Sequence, residues 1–293
     1  MKNLIVNIFK TLLFFDVTVI ATTYLPNIQK DNPALTKLIN EAIFLGLILT
    51  FTLIFVLLVE KRKLGPPITR KRFKSFILGF SAGAVVPVVY MALLVILKHF
   101  HYNGFIKTSD YHYWILALLC NAIATELFFR GYLFSLYKKY YGFTLTTIFT
   151  TALYLSFNFK IFSEDRVYMA NIILFNVLLC FLLEYSGSVI TTITARFVYT
   201  LISTFLLGSL PLTGGYPVLL NYTFDQKEFF VGAEYPLENS KLMLCILGFL
   251  TLLFAIEKYH PIKQLKRFIA YLKTNPFKRI LPNSRKQKAK INK

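Results

Sequence analysis

The chain has 293 residues, of which 56% are hydrophobic and only 16% charged, with a mean hydropathy of +0.56 and a formal net charge of +19. A water-soluble domain carries about a quarter charged residues, so the deficit excludes an ordinary aqueous globule and points to a bilayer. The positive charge does not indicate nucleic acid: Lys and Arg gather at the ends of long apolar runs, and no basic-aromatic surface module is visible.

A spanning helix needs roughly 20 mostly apolar residues at about 1.5 Å each. In chain order the candidates are Leu4–Leu25, Leu38–Val59, Phe76–Leu97, Tyr113–Leu136, Phe143–Phe159, Val167–Leu183, Ser188–Leu207 and Leu242–Ile256. The fold class expected is therefore all-α, a polytopic integral membrane protein of about eight transmembrane helices. The first run lacks a small-residue cleavage site and reads as a helix that stays in the membrane. Cys120, Cys180 and Cys245 fall inside apolar runs without metal-like spacing, the usual setting of buried apolar cysteine.

Loop charges orient these runs. Between the second and third lie Lys61, Arg62, Lys63, Arg70, Lys71, Arg72 and Lys74, and Lys138 with Lys139 follows two crossings later. From Lys258 onward the tail is basic and holds no acid. The alternate loops carry Glu164 and Asp165, then Asp225, Glu228, Glu234 and Glu238. Basic loops stay in the cytoplasm, so both termini are expected inside. In the tail, Ile262, Leu265, Phe268, Ile269 and Leu272 recur at helical spacing between Lys and Arg. That pattern reads as an amphipathic helix on the anionic inner leaflet, making membrane lipid a partner. The expected organisation is three N-terminal helices with a basic loop over 1–112, a four-helix core over 113–207, an outer loop and eighth helix over 208–257, and the basic tail over 258–293.

Ionisable groups inside apolar runs are expensive, so each needs a partner or a role. Asp16 and Glu41 stand singly on the first two helices, paired with a neighbour or facing a polar cavity. Glu126 and Arg130 are four apart on the fourth helix, hence on one face, in the favourable acid-before-base order. Arg196 enters the seventh helix at a comparable depth. A Glu–Arg–Arg cluster binding three helices is the geometric expectation. His99, His101, His112 and His260 lie in loops or the tail. Solvated loop histidines are the simpler reading of the first three, and an outer metal site the alternative.

The stretch Ala124-Thr125-Glu126-Leu127-Phe128-Phe129-Arg130-Gly131-Tyr132-Leu133 resembles the first motif, EExxxR followed by glycine, of the CPBP family of intramembrane proteases, the type II CAAX prenyl proteases and bacteriocin-processing or immunity proteins. Glu126, Arg130 and Gly131 match; Thr125 stands at the first glutamate. The family's FxxxH aligns with Tyr154-Leu155-Ser156-Phe157-Asn158, and its HxxxN with Arg196-Phe197-Val198-Tyr199-Thr200. Asn158 and Arg196 thus occupy histidine positions and Thr200 an asparagine position.

The resemblance implies that Glu126 and Arg130 sit at catalytic positions of a peptidase that activates water on a membrane-embedded substrate. Without the histidines that mechanism is incomplete, and Arg196 adds a charge that would repel zinc. The expectation is therefore a catalytically degenerate scaffold, without metal or cofactor, in a bacterial plasma membrane. It would hold a membrane or cell-envelope protein partner, with Glu126, Arg130, Asn158 and Arg196 in structural or binding roles. Two alternatives stay open. One is an active peptidase with Glu126 as base, serving for example bacteriocin self-immunity. The other is a transporter or channel in which Asp16, Glu41, Glu126 and Arg196 line a polar path.

Overall fold

A chain crossing hydrocarbon must satisfy its own backbone amides, and a helix does so within one segment. In the computed structural model, which describes residues 2–25, 28–59, 72–158, 165–208, 216–225, 229–232 and 236–259, the apolar runs are helices. They are α1 (Lys2–Thr23), α2 (Pro33–Ile54), α3 (Arg72–Ile96), α4 (Tyr111–Glu126), α5 (Phe134–Phe157), α6 (Arg166–Ser186), α7 (Val189–Thr200) and α8 (Lys241–Tyr259). Wider π-helical turns extend α2 over Phe55–Val59, join α4 to α5 over Leu127–Leu133, and extend α7 over Leu201–Leu206.

Among the described residues, six stretches are long and apolar enough to cross a membrane: Pro33–Val59, Arg72–Ile96, Tyr111–Phe157, Arg166–Ser186, Val189–Leu206 and Lys241–Tyr259. The longest has 47 residues. As one straight helix it would measure about 70 Å, over twice the roughly 30 Å of hydrocarbon. It is broken at Gly142, whose φ of 74° and ψ of −179° leave helical space. Lacking Cβ, glycine takes that conformation at little cost.

Local chemistry sets where these helices begin and meet. Asn32 caps α2 with its side-chain oxygen on the amides of Ala34 (2.9 Å) and Leu35 (3.2 Å), ahead of Pro33. Its amide donates to Asp110 at 2.9 Å, tying the start of α2 to the start of α4. On α3, Gly79 and Gly83 let the backbone run directly against α7. A Cβ on Gly79 would stand 2.4 Å from the Thr191 carbonyl oxygen, and one on Gly83 2.3 Å from that of Ala195. Small residues four apart allow such an approach between membrane helices. It places Thr191 and Ala195 of α7 against α3.

The core beside this contact is aromatic. Phe14 of α1 meets Phe55 at 4.8 Å, Phe128 at 4.9 Å and Tyr132 at 4.4 Å between ring centroids. Phe129 packs on Tyr154 at 5.2 Å. Thus Phe128, Phe129 and Tyr132 together join α1, the turn after α2, and α5.

The all-helix expectation needs one correction. β1 (Phe100–Phe105) and β2 (Leu220–Phe224) pair antiparallel, with Phe100 opposite Phe224, His101 opposite Thr223 and Tyr102 opposite Tyr222. Alternation gives the ribbon two unlike faces. Phe100, Tyr222 and Phe224 stack on one, at 4.7–5.7 Å. The other carries His101 and Thr223. The signal was short and split between two loops over a hundred residues apart, where no hydropathy window registers it.

The chain divides into two compact units, 1–251 and 252–293. The second is described only over 252–259, the helical end of α8. The amphipathic tail over Pro261–Leu272, His260, and most of the basic loop from Lys61 to Lys74 lie outside the described residues.

Candidate functional site

Glu126 is the last residue of α4 and Arg130 sits in the π-helical turn that follows. A π turn inserts extra backbone into a helix and re-aims its side chains, a device frequent at functional sites. Both side chains point inward: Glu126 is 0% and Arg130 2% exposed. Arg130 Nη1 donates to Glu126 Oε1 at 3.2 Å. From α7, Arg196 Nε donates to the same oxygen at 2.5 Å. The expected Glu–Arg–Arg cluster is therefore present as a single bifurcated acceptor.

Two residues to which the motif reading gave no role complete it. Asn176 of α6 lies between the guanidinium groups. Its Oδ1 accepts from Arg130 Nη2 at 2.6 Å and Arg196 Nη2 at 3.2 Å, its carbonyl accepts from Arg130 at 3.1 Å, and its Nδ2 donates to the Ile172 carbonyl at 2.8 Å. Tyr154 of α5 receives Arg196 Nη1 on its hydroxyl at 3.3 Å, and its ring stands 5.0 Å from the same guanidinium. The available signal for Asn176 was a polar side chain inside the sixth apolar run; Tyr154 was quoted for alignment but read for its fourth neighbour.

That neighbour, Asn158, does something else. It ends α5, and its Nδ2 donates to the Tyr154 carbonyl at 3.0 Å. Thr200 bonds back to the Arg196 carbonyl at 2.8 Å along α7. Thr125 is half-buried next to Glu126 and takes no part in the described network. So Glu126, Arg130 and Arg196 converge, whereas Thr125, Asn158 and Thr200 do not join them.

The cluster holds one carboxylate and two guanidinium groups, a buried excess of one positive charge. Thr192, whose hydroxyl donates to the Val189 carbonyl at 3.0 Å, stands beside the carboxylate. A metal ion does not fit here. The sole acid in the network is already shared by two cations, and among the described residues no three His, Cys, Asp or Glu side chains come together as a metal site.

The remaining ionisable groups are placed elsewhere. Glu41 is paired, with Lys37 at 3.2 Å and Asn121 of α4 at 2.9 Å, the first of the two settings expected for it. Asp16 is exposed on α1. His99 and His101 both face Asp225, at 3.7 and 3.4 Å, while His112 lies against Tyr113 with 4.1 Å between ring centroids. Glu238, read as an outer-loop acid, is fully buried and accepts from the Tyr199 hydroxyl at 3.1 Å.

No curated protein matches the chain. Residues 107–202 match a family model described as type II CAAX prenyl endopeptidase Rce1-like. That segment holds α4 to α7 and every member of the cluster, so residues 107–202 are similar to an Rce1-like domain, consistent with the CPBP family of intramembrane proteases, in a chain whose several long apolar helices give it multi-pass membrane character.

Proposed function

We propose that this protein uses an intramembrane-protease scaffold to hold a membrane or cell-envelope partner without hydrolysing it. The observation that carries the reading is the 2.5 Å contact of Arg196 with Glu126. A general base needs a carboxylate oxygen free to reach water, and a polarising partner beside the scissile carbonyl. Here Oε1 is shared by two guanidinium groups, Oε2 is buried away from solvent on a side chain that is 0% exposed, and the position the family gives to a histidine is filled by the arginine that binds Oε1.

In this reading the chain crosses a bacterial plasma membrane eight times with both ends inside. The break at Gly142 divides the 47-residue stretch into two crossings, and α1 adds one more to the six stretches. The basic clusters then fall on one side, and the tail from Lys258 rests on anionic lipid.

The test compares N- and C-termini of membrane proteins by mass spectrometry in cells carrying wild type, a deletion, or Glu126→Gln. Termini unchanged across all three are expected. Termini lost in both mutants would instead establish a working peptidase with Glu126 as its base, serving for example bacteriocin self-immunity, and would name its substrate.

A further inference from the structure

On α1, Phe14 and Thr18 face the protein interior at 0% exposure, as does Thr11. Opposite them, Phe9 (64% exposed), Leu12, Leu13 and Ile20 form an apolar stripe at 3.6-residue spacing. Asp16 falls in the middle of that stripe and is exposed with it. Among the described residues it has no hydrogen-bond or ion-pair partner. Its depth follows from its neighbours. Phe15 packs on Phe128 and Phe157 at 6.2 and 6.1 Å, and Phe14 on Phe128 and Tyr132, the residues flanking Glu126 and Arg130. Asp16 therefore lies within about one helical turn of the motif's own level, inside the apolar run of α1 and about 10 Å along the helix from its end at Thr23.

The exposed face of α3, with Phe76, Ile77, Phe80 and Val88, shows what plain lipid contact looks like in this chain. A carboxylate in such a face is not lipid contact. Its short side chain cannot reach the headgroups as Lys or Arg would, so it needs a donor brought to it. A second copy would not supply one. Related by a two-fold axis along the membrane normal, it would set Asp16 against its own equivalent at the same depth. Lys10 stands about a third of a turn away on α1 and roughly 9 Å along the helix, by helix geometry.

We propose that this face of α1 docks a single transmembrane helix of another protein, carrying a Lys or Arg at mid-membrane depth that pairs with Asp16. The inference rests on α1 crossing the membrane, and it gives the partner-holding reading a surface. It stands apart from Glu126, so terminus mapping and the experiment below fail separately.

A photo-crosslinking amino acid is placed at Leu12 or Ile20, one turn to either side of Asp16, in source cells, and the crosslinked peptide is sequenced. The expected adduct is a transmembrane segment with a central Lys or Arg, its yield falling roughly tenfold or more with Asp16→Leu. Asp16→Lys, combined with the partner's basic residue changed to Asp, should restore it. Because Asp16 is exposed, Asp16→Leu should leave the melting temperature in detergent unchanged. Adducts only with lipid, with a second copy, or with a segment lacking a basic residue would overturn the proposal. So would a yield indifferent to Asp16→Leu.

Discussion

The charge count of the buried cluster makes an asymmetric prediction. Native, it holds one negative and two positive side chains, all within hydrogen-bonding reach of Glu126 or Asn176. Glu126→Gln raises the uncompensated charge to two in a site that is 0–6% exposed. Gln can still offer one oxygen to both guanidinium groups, as Oε1 does, but brings no charge to offset them. Removing one partner of a buried charge cluster costs about 3–5 kcal/mol. Arg196→Met, similar in length, lowers the excess to zero and leaves Glu126 paired with Arg130 at 3.2 Å. Its losses are the bonds to Glu126, Tyr154 and Asn176, while Glu126 keeps Arg130 and Asn176 keeps its 2.6 Å bond from Arg130. An orphaned Tyr154 hydroxyl costs about 1–3 kcal/mol. Thermal unfolding of the purified variants in one detergent should therefore rank wild type above Arg196→Met, and Arg196→Met above Glu126→Gln. If Arg196→Met were as damaging as Glu126→Gln, the excess positive charge would not be what governs this core, and the reasoning would fail.

Three further outcomes follow from the same geometry. Asn176→Asp supplies the missing negative charge between the arginines and should melt at or above wild type, whereas Asn176→Leu should lose about 1–3 kcal/mol or more by leaving both without Oδ1. Gly83→Ala puts a Cβ 2.3 Å from the Ala195 carbonyl oxygen, so α3 and α7 must separate. The expected cost is about 1–3 kcal/mol, read as a lower melting temperature, while Gly46→Ala, with open space around it, should change little. On the β1–β2 ribbon, burial pushes the Tyr222 phenol up to about 12, and its hydroxyl donates to the Leu207 carbonyl. The neutral form is favoured by folding, so the stability Tyr222 contributes is full below about pH 10 and is lost as pH rises toward 12. Carbon NMR of labelled tyrosine, assigned with Tyr222→Phe, would contradict this if Tyr222 ionised near 10.

Membrane character was legible because hydrocarbon imposes length and apolarity on each helix separately, and both are local properties of sequence. The spacing of Glu126 and Arg130, four residues on one helix, was local too, and so was the ELFFRG resemblance that the family match over 107–202 bears out. Gly142, the break within the longest stretch, fell in the gap left between the fourth and fifth apolar runs.

What joins separate segments was decided only in three dimensions. Asn176 lies 46 residues from Arg130, and its place between the two arginines depends on how α6 packs against the turn after α4. Tyr154 rather than Asn158 reaches Arg196 because α5 ends at Phe157 and Asn158 turns back onto its own backbone. The Gly79–Gly83 stripe was readable as small residues, but not that Thr191 and Ala195 of α7 would fill it. Sequence patterning fixes which face of a helix is apolar. Which neighbour covers that face depends on the fit of both surfaces together, and in α1 the exposed Asp16 marks a face whose cover this chain's described residues do not provide.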